Sequence, residues 1–380
     1  METVKGFNDF TGEEAEKRAV IMEVIRRTFE KYGFQPAETP IIEYEEFVKG
    51  NNQNDEAVRD IFKLQDKGER KLALRYEFTF QLKRIAKNKK LPYKRYQIGY
   101  NFRDEPIREG RTRQFVQCDA DIIGSTLKDE AEILSMTKEI LNALRIESTI
   151  YVNNRKLMNE ILEKQGIKEK ENVIRELDKL DKLSKKEVKE NLKKYNAEYL
   201  VEIFTKSEDY YEKYENYKEI RELKEYCKFS GVNFEFRPFL ARGFSYYNEN
   251  VFEVWSKNLP VSICGGGSYM IDKNQSTGIS FGLGPLMILT NLKIELEKYL
   301  IVSLEQDKKS IELAQKLRKS GKNASVYFGK PSKALEYANS YGIKKVIFVG
   351  AKEIKQKKFK IKDMQTGKEK IVTITKIVKG

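Results

Sequence analysis

A strand ending on Phe102-Arg103, a charged loop from Asp104 to Arg113 and a strand starting at Gln114-Phe115 form the chemically most pointed stretch of this sequence. Folded back as a hairpin, it sets guanidinium groups beside a carboxylate and an aromatic ring. The cations could grip a triphosphate, the carboxylate could face an adenine amino group, and the ring could lie under the base. A surface hairpin with solvated charges has the same pattern, and from these residues alone both readings stand. Just downstream, Gln117, Asp119 and Asp121 recur with period two, which turns all three to one strand face. Such a row can receive a ligand or form a structural polar network.

Composition narrows the chemistry. The 380 residues include no histidine, which excludes Ser-His-Asp and Cys-His mechanisms, histidine metal sites and imidazole acid–base catalysis within the chain. Carboxylates, arginines, lysines, backbone dipoles or a bound ion must do the work. Cys118, Cys227 and Cys264 lack CxxC spacing, so neither a disulfide framework nor a zinc site is suggested, and each reads as a small buried hydrophobe. Lys and Arg number 72 against 58 acidic residues, a net charge of +14. That surplus favours a polyanionic partner such as RNA, although lysine-rich solvated faces produce it too. No apolar run approaches the roughly 20 residues that span a bilayer, and no signal-peptide core is visible, so a soluble, cytoplasmic protein with no membrane contact is expected.

The elements that must position these groups follow from patterning. Residues 13–32 space Ile21, Met22, Ile25 and Phe29 as an amphipathic helix that Gly33 ends. Pro36 and Pro40 then keep the chain extended and turned. Between Lys71 and Gly124, LALRYEF, RYQIGYNFR and FVQCDADIIG predict an antiparallel sheet. Residues 156–225 become Lys, Glu, Leu, Asn and Tyr with helical periodicity and no proline, which predicts a helical insertion. Strands resume from VNFEF to CGGGSYM, followed by a helix over 285–297. After Tyr299, strands and helices alternate as in a separate small α/β domain.

In order along the chain, these segments resemble the class II aminoacyl-tRNA synthetases in their histidyl form. ETPIIE with Pro40 is similar to motif 1, LALRYEFT to the amino-acid pocket segment, FRDEPIREGRTRQFVQCDADIIG to motif 2, LARGFSYYNENVFE to the histidine signature and CGGGSY to the floor beyond it. LDKLDKL in the insertion is also a pattern of the family. The resemblance covers essentially the whole chain. It implies an α+β fold: a catalytic core of residues 1–155 and 226–296 on an antiparallel sheet, a helical insertion at 156–225 and an α/β anticodon-binding domain at 297–380. It implies ATP-dependent activation of L-histidine with Mg2+, transfer to tRNA(His), and a homodimer formed through motif 1.

The resemblance also implies roles for single residues. Glu77 would hold the α-ammonium of histidine; Asp121 would accept the imidazole N–H, with Gln117 beside it. Tyr246, Tyr247 and Tyr269 would line the imidazole pocket, and Gly265 and Gly266 would let the backbone approach the substrate. Arg103 would grip the α-phosphate and Arg111 the distal phosphates, with Glu105 and Phe115 at the adenine and Gly282 in the nucleotide floor. Arg242 would supply positive charge over the reacting carboxylate and α-phosphate. Arg108 and Arg113 would face the acceptor end of tRNA.

Two positions depart from the family pattern. Pro285 stands where motif 3 carries a phosphate-gripping arginine, and Ser245 stands where the signature carries an aspartate. Proline binds no phosphate, but at a first helical position it leaves the fold intact. The sequence therefore supports an active synthetase with an altered nucleotide site, or a weakened paralogue that binds histidine or tRNA for regulation, like the synthetase-like subunit of ATP phosphoribosyltransferase. The terminal domain, generally missing from that subunit, favours the first.

Overall fold

The computed structural model describes every residue except 51–55, 243–245, 293–296 and 380. Ser245 therefore lies outside the described residues. The chain divides into two compact units, residues 1–9 with 17–292, and residues 10–16 with 293–380.

The first unit is built on an eight-stranded sheet. Its spatial order is Gln35–Pro36, Tyr93–Phe102, Gln114–Ile123, Asn274–Gly282, Leu259–Ile271, Tyr247–Ser256, Thr149–Asn154, Glu235–Phe236. The two short edge strands pair in parallel and every inner pair is antiparallel. Along the central strands apolar and polar residues alternate, so one face can be buried while the other stays available. Cys118, Ala120 and Ile122 turn into the core, while Gln117, Asp119 and Asp121 turn the other way. The helix Gly12–Lys31 contributes Ile21, Ile25 and Phe29 to that core, one face at helical spacing. The helix Leu127–Ala143 starts at a capping box of Thr126 and Asp129 and contributes Ile133, Leu134, Ile140 and Leu141.

The stretch 156–225 is helical, with segments Arg155–Lys164, Lys170–Asp178, Lys185–Leu192 and Leu200–Ile203, followed by Tyr217–Phe229. Their apolar faces join the same continuous core as the sheet. A smaller sheet of Ile42–Tyr44, Lys71–Leu74 and Lys63–Gln65 takes up part of LALRYEF. The strand expected over that segment ends at Leu74, and Arg75 to Phe78 leave the sheet. Of the helix expected over 285–297, the described part spans Leu283–Leu289 and ends before Thr290, and residues 293–296 lie outside the described residues.

In the second unit, Lys298–Ser303 lies between Asn323–Phe328 and Lys345–Val349 in parallel, and Lys358–Asp363 and Glu369–Thr373 extend the sheet antiparallel. The central strand buries Tyr299 and Ile301 on one face and Leu300 and Val302 on the other. Its unbroken apolar run reflects cover on both sides.

Candidate active site

Register builds the site. Asp121 stands between Arg95 on one neighbouring strand and Gly278 on the other; Gly278 in turn stands opposite Gly267. One row along, Gln97, Asp119, Ser280, Gly265 and Glu253 lie side by side across five strands. Gln117 pairs with Gly282 in the next row. Residues directly opposite one another share a face, so Asp121 looks directly across Gly278, and Asp119 looks across Ser280 to Gly265. Those glycines keep the space open. A Cβ on Gly278 would fall 2.1 Å from Asp121 Oδ1, and one on Gly265 would fall 1.7 Å from Arg242 Nη1.

Over these rows opens a cavity of about 190 Å3. Glu77, Gln117, Asp121, Tyr246, Tyr247, Tyr269, Gly265 and Gly266 line it, as do Arg103, Glu105, Arg111, Phe115, Gly282 and Arg242. Arg108 and Arg113 are not among its lining residues. Arg108 is exposed at the loop bridge it forms with Arg111, and Arg113 is half-buried with its guanidinium 3.0 Å from Asp104.

Glu77 reaches the cavity because its segment is pinned. Arg75 Nε donates to the Tyr100 carbonyl at 2.9 Å and its Nη1 to the Thr39 carbonyl at 2.6 Å; Arg103 Nε donates to the Tyr76 carbonyl at 3.1 Å. Glu77 itself is 4% exposed, and burial pushes its carboxyl up to about 8. Burial, with Asp121 beside it, raises Asp119 to about 7. Asp121 is raised as well, by burial, although the Arg95 guanidinium 2.8 Å away opposes the shift. A site that costs three carboxylates their hydration is suited to a cationic ligand that restores their charge.

The three tyrosines form one aromatic wall, with Tyr246 4.7 Å from Tyr247 and 5.5 Å from Tyr269 between ring centres. The Tyr246 hydroxyl donates to Glu77 at 3.3 Å and the Tyr269 hydroxyl donates to Asp121. Gln117 donates to Ser280 Oγ at 2.6 Å and accepts from Asn101. Among the described residues, three buried polar atoms on the lining have no hydrogen-bond partner: Asp119 Oδ1, Arg242 Nε and Asp121 Oδ2, the last ion-paired with Arg95. An acceptor and a donor left open in this way are matched by a ligand that carries both functions. At the nucleotide side the Arg103 guanidinium lies 5.2 Å from the Phe115 ring centre, and Arg111 comes within 4.0 Å of Glu105.

Sequence reasoning passed over Arg95, Glu253 and the acceptor role open to Asp119. Arg95 is far in sequence from Asp121, and strand register brings them together; Glu253 meets Arg242 through its side chain from the strand beside Gly265; the period-two row was the available signal for Asp119. The helix begins at Leu283 with Gly282 as its cap, so Pro285 occupies the third helical position, not the first. Its missing N–H still falls among the four that an α-helix leaves unpaired.

The mostly antiparallel sheet and the α/β second unit have the architecture expected from the resemblance to class II aminoacyl-tRNA synthetases. Comparison with known proteins fixes the family. Residues 6–286 match the model of the histidyl-tRNA synthetase family and residues 298–380 that of an anticodon binding domain. The chain is 33% identical to histidine–tRNA ligase 1 of Bacillus cereus, over 99% of this chain and 96% of that protein, and 32% identical to histidine–tRNA ligase of Methanocaldococcus jannaschii, over 98% and 97%. The crystal structure of histidyl-tRNA synthetase from Nostoc sp. superposes with a TM-score of 0.86 at 25% identity, covering 100% of this chain and 99% of that one. The fold also matches an ATP phosphoribosyltransferase regulatory subunit/histidyl-tRNA synthetase from Bacillus halodurans, with a TM-score of 0.75 at 21% identity over 91% of this chain and 97% of that one. The chain belongs to the histidyl-tRNA synthetase family.

Proposed function

We propose that this chain is an active histidine–tRNA ligase. The observation that carries the proposal is the pair of sheet rows in which Asp121 faces Gly278, and Asp119 faces Gly265 across Ser280, with the Arg242 guanidinium over Gly265. Glu77 pairs with the α-ammonium of histidine. Asp121 takes the imidazole N–H, Asp119 offers its open oxygen nearby, and Gln117 and the three tyrosines close the pocket. A histidine carboxylate oxygen then attacks the α-phosphorus of ATP, the bond to the β-phosphate oxygen breaks, and pyrophosphate leaves. Arg103 and Arg242 stabilise the charge that builds on the α-phosphate, Arg111 meets the distal phosphates, and Glu105 and Phe115 seat the adenine. No side-chain base is required, since the nucleophile is already ionised and the work is orientation. The terminal ribose hydroxyl of tRNA(His) next attacks the activated carbonyl, and AMP departs.

Magnesium fits as a companion of the nucleotide. Among the described residues no group of three or more acidic or cysteine side chains is placed to hold an ion, and magnesium is commonly held by phosphate oxygens with one or two carboxylates. Glu105 is the cavity carboxylate beside Arg111 that would hold the ion together with the phosphates. A bound ion would supply neutralisation of phosphate charge there.

Arg108, exposed at the motif 2 loop, and Arg113 are the proposed acceptor-end contacts, and the second unit reads the anticodon end. A homodimer through motif 1 is supported by Ile41, Ile42 and Tyr44, whose side chains stand exposed on that segment. No helix among the described residues is long and apolar enough to cross a membrane, and the proposed location is the cytoplasm.

Histidine-dependent exchange of labelled pyrophosphate into ATP tests the activation step. The chain is expected to exchange, and Arg242→Ala to lower the rate on the order of 100-fold or more, the usual cost of removing a charge that acts on the transition state. Absent exchange with histidine still bound would move the assignment to the regulatory paralogue.

A further inference from the structure

Arg242 is held at both ends by carboxylates. Its Nη1 donates to Glu253 Oε1 at 2.7 Å, and the other oxygen of Glu253 is taken by the indole N–H of Trp255 at 2.9 Å. Its backbone is the unusual part. Arg242 sits at φ +66°, in the left-handed region that a bulky side chain enters only where its surroundings impose it. One oxygen among the described residues meets this backbone: the N–H groups of Ala241 and Arg242 both donate to Asp178 Oδ1, at 2.7 and 3.2 Å.

Asp178 is the last residue of the helix Lys170–Asp178, within the LDKLDKL segment of the helical stretch that interrupts the sheet. Local physics argues against an aspartate there. A carboxylate at a helix C-terminus opposes the helix dipole. Burial, together with the nearby charge of Glu253, raises its carboxyl to about 6. What the residue gains in return is the fork of two N–H groups from the Arg242 turn.

We infer that Asp178 is a positioning residue for Arg242: by accepting the Ala241 and Arg242 N–H groups it fixes the left-handed backbone from which the guanidinium extends over Gly265 to Glu253. The helical stretch then sets the placement of the cation at the reacting centre. This inference rests on the role proposed for Arg242, and the test separates the two.

Single-turnover and steady-state pyrophosphate exchange would be measured for Asp178→Ala, Asp178→Asn, Arg242→Ala and the double variant Asp178→Ala/Arg242→Ala, each checked for its melting temperature. Asp178→Ala is expected to lower kcat on the order of 10- to 100-fold, the scale of a misplaced catalytic group, while KM for histidine and ATP stays within about threefold. Asp178→Asn, which keeps an acceptor oxygen, should retain most of the rate, and Asp178→Ala should add nothing in the Arg242→Ala background. Undiminished kcat in Asp178→Ala beside a collapsed Arg242→Ala would overturn the inference, as would an equal loss with and without Arg242. Undiminished exchange in Arg242→Ala would instead remove the role of Arg242 on which it stands. If Asp178→Ala does not fold, Asp178→Glu, which displaces the acceptor by one methylene, replaces it with the same expectations and the same contradicting results.

Discussion

Glu77 carries the most legible electrostatic consequence of the site. Its carboxyl, raised to about 8 by burial in the empty protein, is mostly protonated at neutral pH, yet it must be ionised to pair with an ammonium group. Histidine affinity should therefore rise as pH climbs from 7 toward 8, by up to about tenfold per unit if one proton is released. Free imidazole titrates near 6.5, below that window, and the chain has no imidazole of its own. Calorimetric titration of the protein and of Glu77→Gln over this range isolates the effect: the rise is expected in the first and a flat profile in the second, and parallel profiles would contradict it. At this scale the sequence showed the row of Gln117, Asp119 and Asp121 through its period. It did not show Arg95, because a buried cation on a strand looks like any other charge until register sets it against Asp121. Asp178 stood inside LDKLDKL, which the resemblance marks as a pattern of the family without a role, and its contact with the backbone of Ala241 and Arg242 is visible only in the fold.

Elements decide where Pro285 leaves the nucleotide site. The helix Leu283–Leu289 starts against the motif 2 loop: a Cβ on Gly284 would come 2.6 Å from the Gly110 carbonyl, and Pro285 Cγ lies 3.7 Å from the position of a Gly110 Cβ. The loop that carries Arg111 is thus docked by close packing at the place where the family pattern has an arginine. Gly284→Ala should push that loop outward. The expected result is a rise of about tenfold in KM for ATP with KM for histidine unchanged, read from the same exchange assay; an unchanged KM for ATP would show that the docking does not hold Arg111. The helix is shorter than periodicity suggested because Thr290 Oγ1 donates to the Leu144 carbonyl and accepts from the Leu292 N–H, at 2.7 and 3.2 Å. Local bonds of that kind compete with helix continuation. LALRYEF likewise stops being a strand at Leu74, where the Arg75 side chain takes the Thr39 and Tyr100 carbonyls. Periodicity reports which residues face the core, but not where a side chain captures the backbone.

For the whole molecule, two units with distinct patterning were readable from the change after Tyr299, where an antiparallel-rich α+β body gives way to parallel strands buried on both faces. The central claim joins them: a chain that activates histidine in the first unit and charges tRNA(His) with the help of the second. Attachment of labelled histidine to tRNA(His) by the full chain tests it most directly. The account predicts ATP-dependent, acid-precipitable histidyl-tRNA that Arg242→Ala fails to make at a comparable rate. Histidine binding without any charged tRNA would contradict it and leave a regulatory binding protein on a synthetase fold.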